Sequence, residues 1–209
     1  MSEKIEILKE YIAQAQAEAV VEQNVYIGEL TVTVQAQKLH SFVEFLKSDE
    51  KCQFQQLLDI CGADYPERSQ RFDVVYNFLS MKLNQRIRVK VAADENTPVA
   101  SLTDIYSSAG WYERETFDLY GIKFSGNPDL RRILTDYNFE GYPLRKDFPL
   151  TGFTELRYDE AQRKIVEEPV KLMQDYRNFD FTSPWEAMTS IQEKGNDKGL
   201  KPKAMGGKE

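Results

Sequence analysis

A chain of 209 residues with 41% hydrophobic and 29% charged residues can bury a core, which excludes a wholly disordered or fibrous molecule. A net charge of −7 at pH 7 argues against nucleic acid or an anionic membrane surface as partner, because both need concentrated Lys and Arg. Two cysteines, Cys52 and Cys61, cannot assemble a disulfide framework or a zinc or iron–sulfur ligand set, which suits a reducing compartment.

Along the chain, Ser2 is placed to cap a first helix, and Ile5, Leu8, Ile12, Ala15 and Ala19 form one apolar stripe. This N-terminus is acidic and amphipathic, unlike a signal or transit peptide, and no apolar run approaches the ~18 residues that cross a bilayer. From Val25 the period changes to two, with Leu30, Val32 and Val34 on one face of a strand. Leu39, Phe42, Val43 and Leu46 restore helical spacing. His40, the only histidine, lies on the flank of that helix with no second His or carboxylate cluster, and is read as an exposed polar residue.

The run 55–61 ends at Gly62 and reads as a buried strand that leaves through a turn at Asp64, Tyr65 and Pro66. Residues 71–78 and 86–91 alternate and predict a hairpin, whose second strand turns Arg86, Arg88 and Lys90 to solvent or a partner. After a loop at 94–98, Ser107 or Ser108 is expected to cap a helix through WYERETFDLY that stops at Gly121. The pattern predicts an α+β fold, with helices packed on a mixed or antiparallel sheet over residues 1–121.

Beyond Gly121 the composition changes. Six of the eight prolines lie there, so regular elements should be short, with one hairpin expected from FTELRY and KIVEEPV. Eleven aromatic residues nevertheless fall between Ile122 and Ser190, which is too many for a solvated linker. This predicts a long irregular extension over 122–190, packed either on its own domain or on a partner, and a disordered tail over 191–209.

Three groups of charges invite a chemical reading. Glu115 and Asp118 share a helical face and could form an acid/base couple, but Arg114 can pair with Asp118 at i, i+4, and ion pairing is the better reading. Arg131 and Arg132 could bind phosphate, yet no Gly-rich phosphate loop precedes them. Arg145, Lys146 and Asp147 can pair across a protein surface.

The stretches CGADYPERSQRFDVVYNF, WYERETFDLYGIKFSGNPDLRRILTDYNFEGYPLRKDFPLTG and FDFTSPWE resemble the thirty-kilodalton subunit of proton-pumping NADH:quinone oxidoreductase, respiratory complex I. The resemblance covers about 25–187. Asn127 departs from it where a His is expected, and Phe117 where Trp is commoner. It implies a peripheral-arm subunit without a redox centre or catalytic residues of its own, with flavin and iron–sulfur clusters held in partner subunits.

It also implies an N-terminal α+β domain whose C-terminal part wraps the large quinone-site subunit beside an iron–sulfur subunit. The interface residues expected on this basis are Glu113, Arg114, Glu115, Asp118, Arg131, Arg132, Tyr142, Arg145, Lys146, Asp147, Phe148 and Trp185. The complex would lie on the inner membrane, with this chain on the cytoplasmic side in a bacterium or the matrix side in a mitochondrion. The equivalent subunit of a related membrane hydrogenase or photosynthetic dehydrogenase is the near alternative; a stand-alone carboxylate enzyme is the remote one.

Overall fold

The computed structural model describes residues 2–174. Expectations that fall later, including Trp185, the whole FDFTSPWE stretch and the 191–209 tail, lie outside the described residues. Three helices pack on one face of a five-stranded mixed sheet with strand order β1-β2-β5-β4-β3. The sheet is antiparallel except where β2 and β5 run parallel. The α+β class expected from the sequence is thus what forms.

Helix α1 spans Ser2–Ala15, shorter than its apolar stripe suggests: Leu8 and Ile12 are buried, whereas Ala15 is exposed and Ala19 is buried beyond the helix end. Strand β1 (Val20–Tyr26) is not legible in the sequence. Glu22, Gln23 and Asn24 interrupt any alternation, and the strand forms because it is the sheet edge, joined to β2 (Glu29–Val34) by a tight turn. Ile27 and Gly28 of that turn have φ of 48° and 76°, the positive pair that a two-residue hairpin turn requires.

Helix α2 (Leu39–Ser48) buries Leu39, Phe42, Val43 and Leu46. Strands β3 (Gln56–Asp64), β4 (Phe72–Ser80) and β5 (Gln85–Ala93) follow, with the expected β4–β5 hairpin and a bulge in β3 between Leu57 and Asp59. Alternate residues Phe72, Val74, Tyr76 and Phe78 of β4 are completely buried with Ile87, Val89 and Val91 of β5, so one face of the sheet carries the core. The other face, with Val75, Asn77, Arg88 and Lys90, is half-buried and has no helix over it among the described residues.

A short parallel pair, β6 (Val99–Ala100) and β7 (Phe124–Ser125), brackets helix α3 (Ala109–Tyr120). Ser108 does occupy the N-cap position, but its backbone is helical (φ −65°, ψ −24°) and its side chain makes no capping bond. The C-terminal end behaves as expected, with Gly121 left-handed at φ 79°. Ile122 and Phe124, past Gly121, belong to the same core. From Gly126 to Phe153 there is no regular element, and then β8 (Thr154–Asp159) and β9 (Lys164–Pro169) form the expected antiparallel hairpin.

Candidate subunit interface

Helix α3 can approach β3 closely because Gly62 has no side chain: a Cβ there would lie 2.7 Å from the Tyr120 ring. At the C-terminal end of α3 the carbonyls of Leu119 and Tyr120 have no partners within the helix. The chain after β7 returns to supply them. Leu144 N donates to Leu119 O at 3.1 Å, and Arg145 Nε donates to Tyr120 O at 2.6 Å. A cation at a helix C-terminus is also favoured by the helix dipole. Gly121 permits this crossing, since a Cβ on it would sit 2.6 Å from the Tyr142 ring and 2.7 Å from Arg145 Nη2.

The returning segment, a strap over residues 127–149, is fastened at three further points. At the first, Asp118, whose side chain is completely buried, accepts five hydrogen bonds. They come from the backbone N–H groups of Ile133 (2.9 Å), Leu134 (2.7 Å) and Thr135 (2.9 Å), from the Thr135 hydroxyl (2.5 Å) and from Arg132 Nη1 (2.8 Å). Burial alone would push the Asp118 carboxyl up, but these donors outweigh it and hold the group well below the usual carboxylate range. Arg132 also donates to Gly141 O at 3.0 Å and lies over the Tyr142 ring at 5.3 Å and the Phe139 ring at 5.8 Å.

At the second point, Arg71 forks onto Asp64 at 2.6 and 2.9 Å and reaches Glu95 at 2.8 Å and Asp147 at 2.9 Å. The Lys146 backbone N–H closes on the same Asp64 at 2.7 Å. The Arg71 guanidinium lowers the carboxyls of Asp64 and Asp147, the former with the help of Lys146 N–H. Arg145 adds a contact to Glu95 at 3.4 Å and stacks 4.5 Å from Tyr142 and 5.1 Å from Phe72.

The third point is Glu113, a completely buried carboxylate with no cation against it among the described residues. It accepts from Leu102 N (2.7 Å), the Ser101 hydroxyl (2.7 Å) and Asn127 Nδ2 (2.8 Å), and burial pushes its carboxyl up despite them. Asn127, where the resemblance leads one to expect a His, thus ties the start of the strap to α3. Its Oδ1 then accepts from Asp129 N at 2.8 Å.

The expected Arg114–Asp118 pair does not form. Arg114 turns to the strap instead, donating to Arg131 O and Arg132 O at 3.1 Å each, because Asp118 is already saturated by the strap. A catalytic couple with Glu115 fails for the same reason. Glu115 is half-buried beside Asp59, Cys61 and Tyr120 in a cavity of about 220 Å³. Arg131 is exposed and paired with Asp129, Lys146 projects its side chain outward, and Phe148 packs against Phe139 (5.7 Å) and Phe153 (5.4 Å).

The charges read from the sequence as docking groups are therefore largely committed within the chain. Sequence reasoning missed their partners Asp64, Arg71, Glu95 and Asn127, which lie far away in sequence with no local spacing to reveal them. Among the exposed polar side chains of this region stand several large apolar ones: Trp111, Leu134, Tyr137, Leu150, Phe153, Leu156, Tyr158 and Ile165 are each more than half exposed. Among the described residues, no cluster of His, Cys, Asp and Glu could hold a metal ion, and no helix is long and apolar enough to cross a membrane.

Residues 32–154 match the family model of the respiratory-chain NADH dehydrogenase 30 Kd subunit. The chain is 57% identical to the C subunit of the NADH-quinone oxidoreductase of Paramagnetospirillum magneticum, over 94% of this chain and 100% of that one. It is 58% identical to the protein of the same name from Sinorhizobium medicae, over 89% of this chain and 92% of the other. A chain in the structure of the membrane-bound sulfane sulfur reductase, an archaeal respiratory membrane complex, superimposes with a TM-score of 0.61 at 29% identity, covering 70% of this chain and 86% of that one.

Proposed function

Because the chain belongs to the 30 Kd subunit family of the respiratory-chain NADH dehydrogenase, we propose that it serves the NADH-quinone oxidoreductase, complex I, as a docking subunit without chemistry of its own. Identities of 57% and 58% go to NADH-quinone oxidoreductase subunits, against 29% for the sulfane sulfur reductase chain, which does not favour the hydrogenase-like alternative. In this reading the flavin, the iron–sulfur clusters and the quinone site belong to other subunits, and proton translocation is a property of the whole complex. The chain's partners are the large quinone-site subunit and its iron–sulfur neighbour. It sits in the peripheral arm, on the cytoplasmic side of the membrane in a bacterium or the matrix side in a mitochondrion.

One observation carries the docking role: the strap is pinned by charge at Asp118 and Arg71, while Leu134 and Tyr137 on it, and Leu150, Phe153, Leu156, Tyr158 and Ile165 just beyond it, stand exposed. Buried aromatic anchors are what interface energetics rest on, and this many exposed large apolar side chains along one stretch of chain suit a partner's cover. The isolated chain should show no NADH or quinone turnover. Arg145→Ala with Asp147→Ala unfastens the strap from Tyr120 O, Glu95 and Arg71, and should lower the amount of assembled complex on a native gel. Unchanged assembly would refute the role given to the strap.

A further inference from the structure

Among the described residues, nothing covers one face of the β8–β9 sheet. By register, Thr154, Leu156 and Tyr158 lie opposite Pro169, Glu167 and Ile165, and these alternate residues share one face. On it Leu156 is 65%, Tyr158 58% and Ile165 67% exposed. A two-stranded sheet is marginal in water without a second layer, so an apolar face of this kind asks for one.

At its edge, Asp136, Tyr137, Asn138 and Phe139 of the strap, with Thr154, Leu156 and Glu167, enclose a cavity of about 470 Å³. The charges lining it are of one sign, Asp136 and Glu167, and among the described residues neither carboxylate has an ion-pair partner. The aromatic rings beside them belong to Tyr137, 86% exposed, and Phe139. Arg132 lies over Phe139 but is committed to Asp118, and Arg157 pairs with Glu168 on the opposite face of the hairpin. Two carboxylates and two aromatic side chains lining one cavity are complementary to a cation carried on an apolar stem.

We infer that this cleft receives an arginine or lysine presented by an apolar segment of a neighbouring subunit, whose flanking side chains cover Leu156, Tyr158 and Ile165. The inference rests on the docking role proposed above and names the chemistry of what docks. The partner's cation sits between Asp136 and Glu167 with its stem along the Tyr137 ring, and the apolar flank supplies the missing layer of the β8–β9 sheet.

The test uses the full chain in assembled complex from native membranes, with Tyr137 replaced by the photocrosslinker p-benzoylphenylalanine. The expected product joins this position to another subunit, at a peptide with Arg or Lys within about four residues of the linked site, roughly one helical turn. Linkage only within this chain, or to a peptide without a nearby cation, would overturn the inference while leaving the docking role standing.

Charge variants give a second readout at exposed positions. D136K/E167K should lower the fraction of chain retained in the complex about tenfold, and D136N/E167Q by less, about threefold. Retention equal to the unaltered chain in both would also overturn it. Absence of the unaltered chain from the complex would remove the docking role itself, and the inference with it.

Discussion

Asp118→Asn removes one charge from the centre of the strap's attachment and leaves the volume unchanged. The amide keeps a single acceptor oxygen, which can still face the N–H groups of Ile133, Leu134 and Thr135. Its NH2 group then meets Thr135, whose hydroxyl can turn and accept, and Arg132, which cannot accept. The three backbone bonds lose their charge assistance, at about 0.5–1 kcal/mol each, and Arg132 loses its only carboxylate among the described residues, at about 2 kcal/mol. The expected loss is about 3.5–5 kcal/mol.

Because the loss is local, hydrogen exchange is the assay that sees it. The amides of Ile133, Leu134 and Thr135 should exchange at least about a hundredfold faster in the variant, since 1.4 kcal/mol is a factor of ten. Val89 and Val91, in the centre of the sheet, should hardly change. The depressed carboxyl of Asp118 fixes the pH window: its contribution is complete above the ordinary Asp value of about 3.9 and is lost as pH falls below it. The difference between variant and parent should therefore be the same at pH 7 as at pH 5. Exchange at Ile133 to Thr135 within about threefold of the parent would refute the account of how the strap is held.

Arg71→Ala leaves Asp64, whose side chain is completely buried, with only the Lys146 N–H among these partners, and should cost about 3 kcal/mol in urea unfolding; Arg71→Lys, lacking the fork, should recover less than half. Gly62→Ala forces a Cβ to 2.7 Å from the Tyr120 ring and should cost about 1–3 kcal/mol, with the Gly62→Ala/Tyr120→Leu pair less destabilised than the sum of its parts. Glu113 has the opposite sign to Asp118: its raised carboxyl adds stability as pH falls through the folded value, in full below the ordinary Glu value of about 4.3. Glu113→Gln should remove that rise, as read from unfolding free energies between pH 4 and pH 7, while Glu113→Ala should cost about 2 kcal/mol at pH 7 by leaving Leu102 N–H without a partner, and more at pH 4, where the titrating carboxyl's contribution is lost as well.

Periodicity made the core legible, because Leu39, Phe42, Val43 and Leu46, and the alternation of β4 and β5, report burial on one side of each element. It failed at β1, where an edge strand buries too little to need a pattern, and at Ser108, where a favourable cap residue sits in a helical backbone. The strap was legible as a segment too aromatic for solvent, since composition alone reports that need. Its inner partners were not, because Asp64 meets Lys146 across 82 positions and Asp118 meets Thr135 across 17, separations at which only the folded backbone decides who is near. The resemblance to the thirty-kilodalton subunit of complex I named the family correctly, and could not say that Asp118, Arg132, Arg145 and Asp147 would be engaged within the chain.

That engagement changes the energetics of the proposed docking. An extension that became ordered only on its partner would cost roughly 1–2 kcal/mol per residue at the moment of binding, which demands a very large interface. Here residues 127–149 are already fixed by four carboxylates, Asp64, Glu95, Glu113 and Asp118, and by Asp147 reaching back to Arg71. Their ordering belongs to folding of the subunit, and the partner meets a surface whose aromatic anchors are preplaced. The polar side chains of the strap then act on affinity through position. A variant such as Asp118→Asn should weaken assembly without touching the partner, whereas one at Tyr137 or Leu156 should weaken it without loosening the strap.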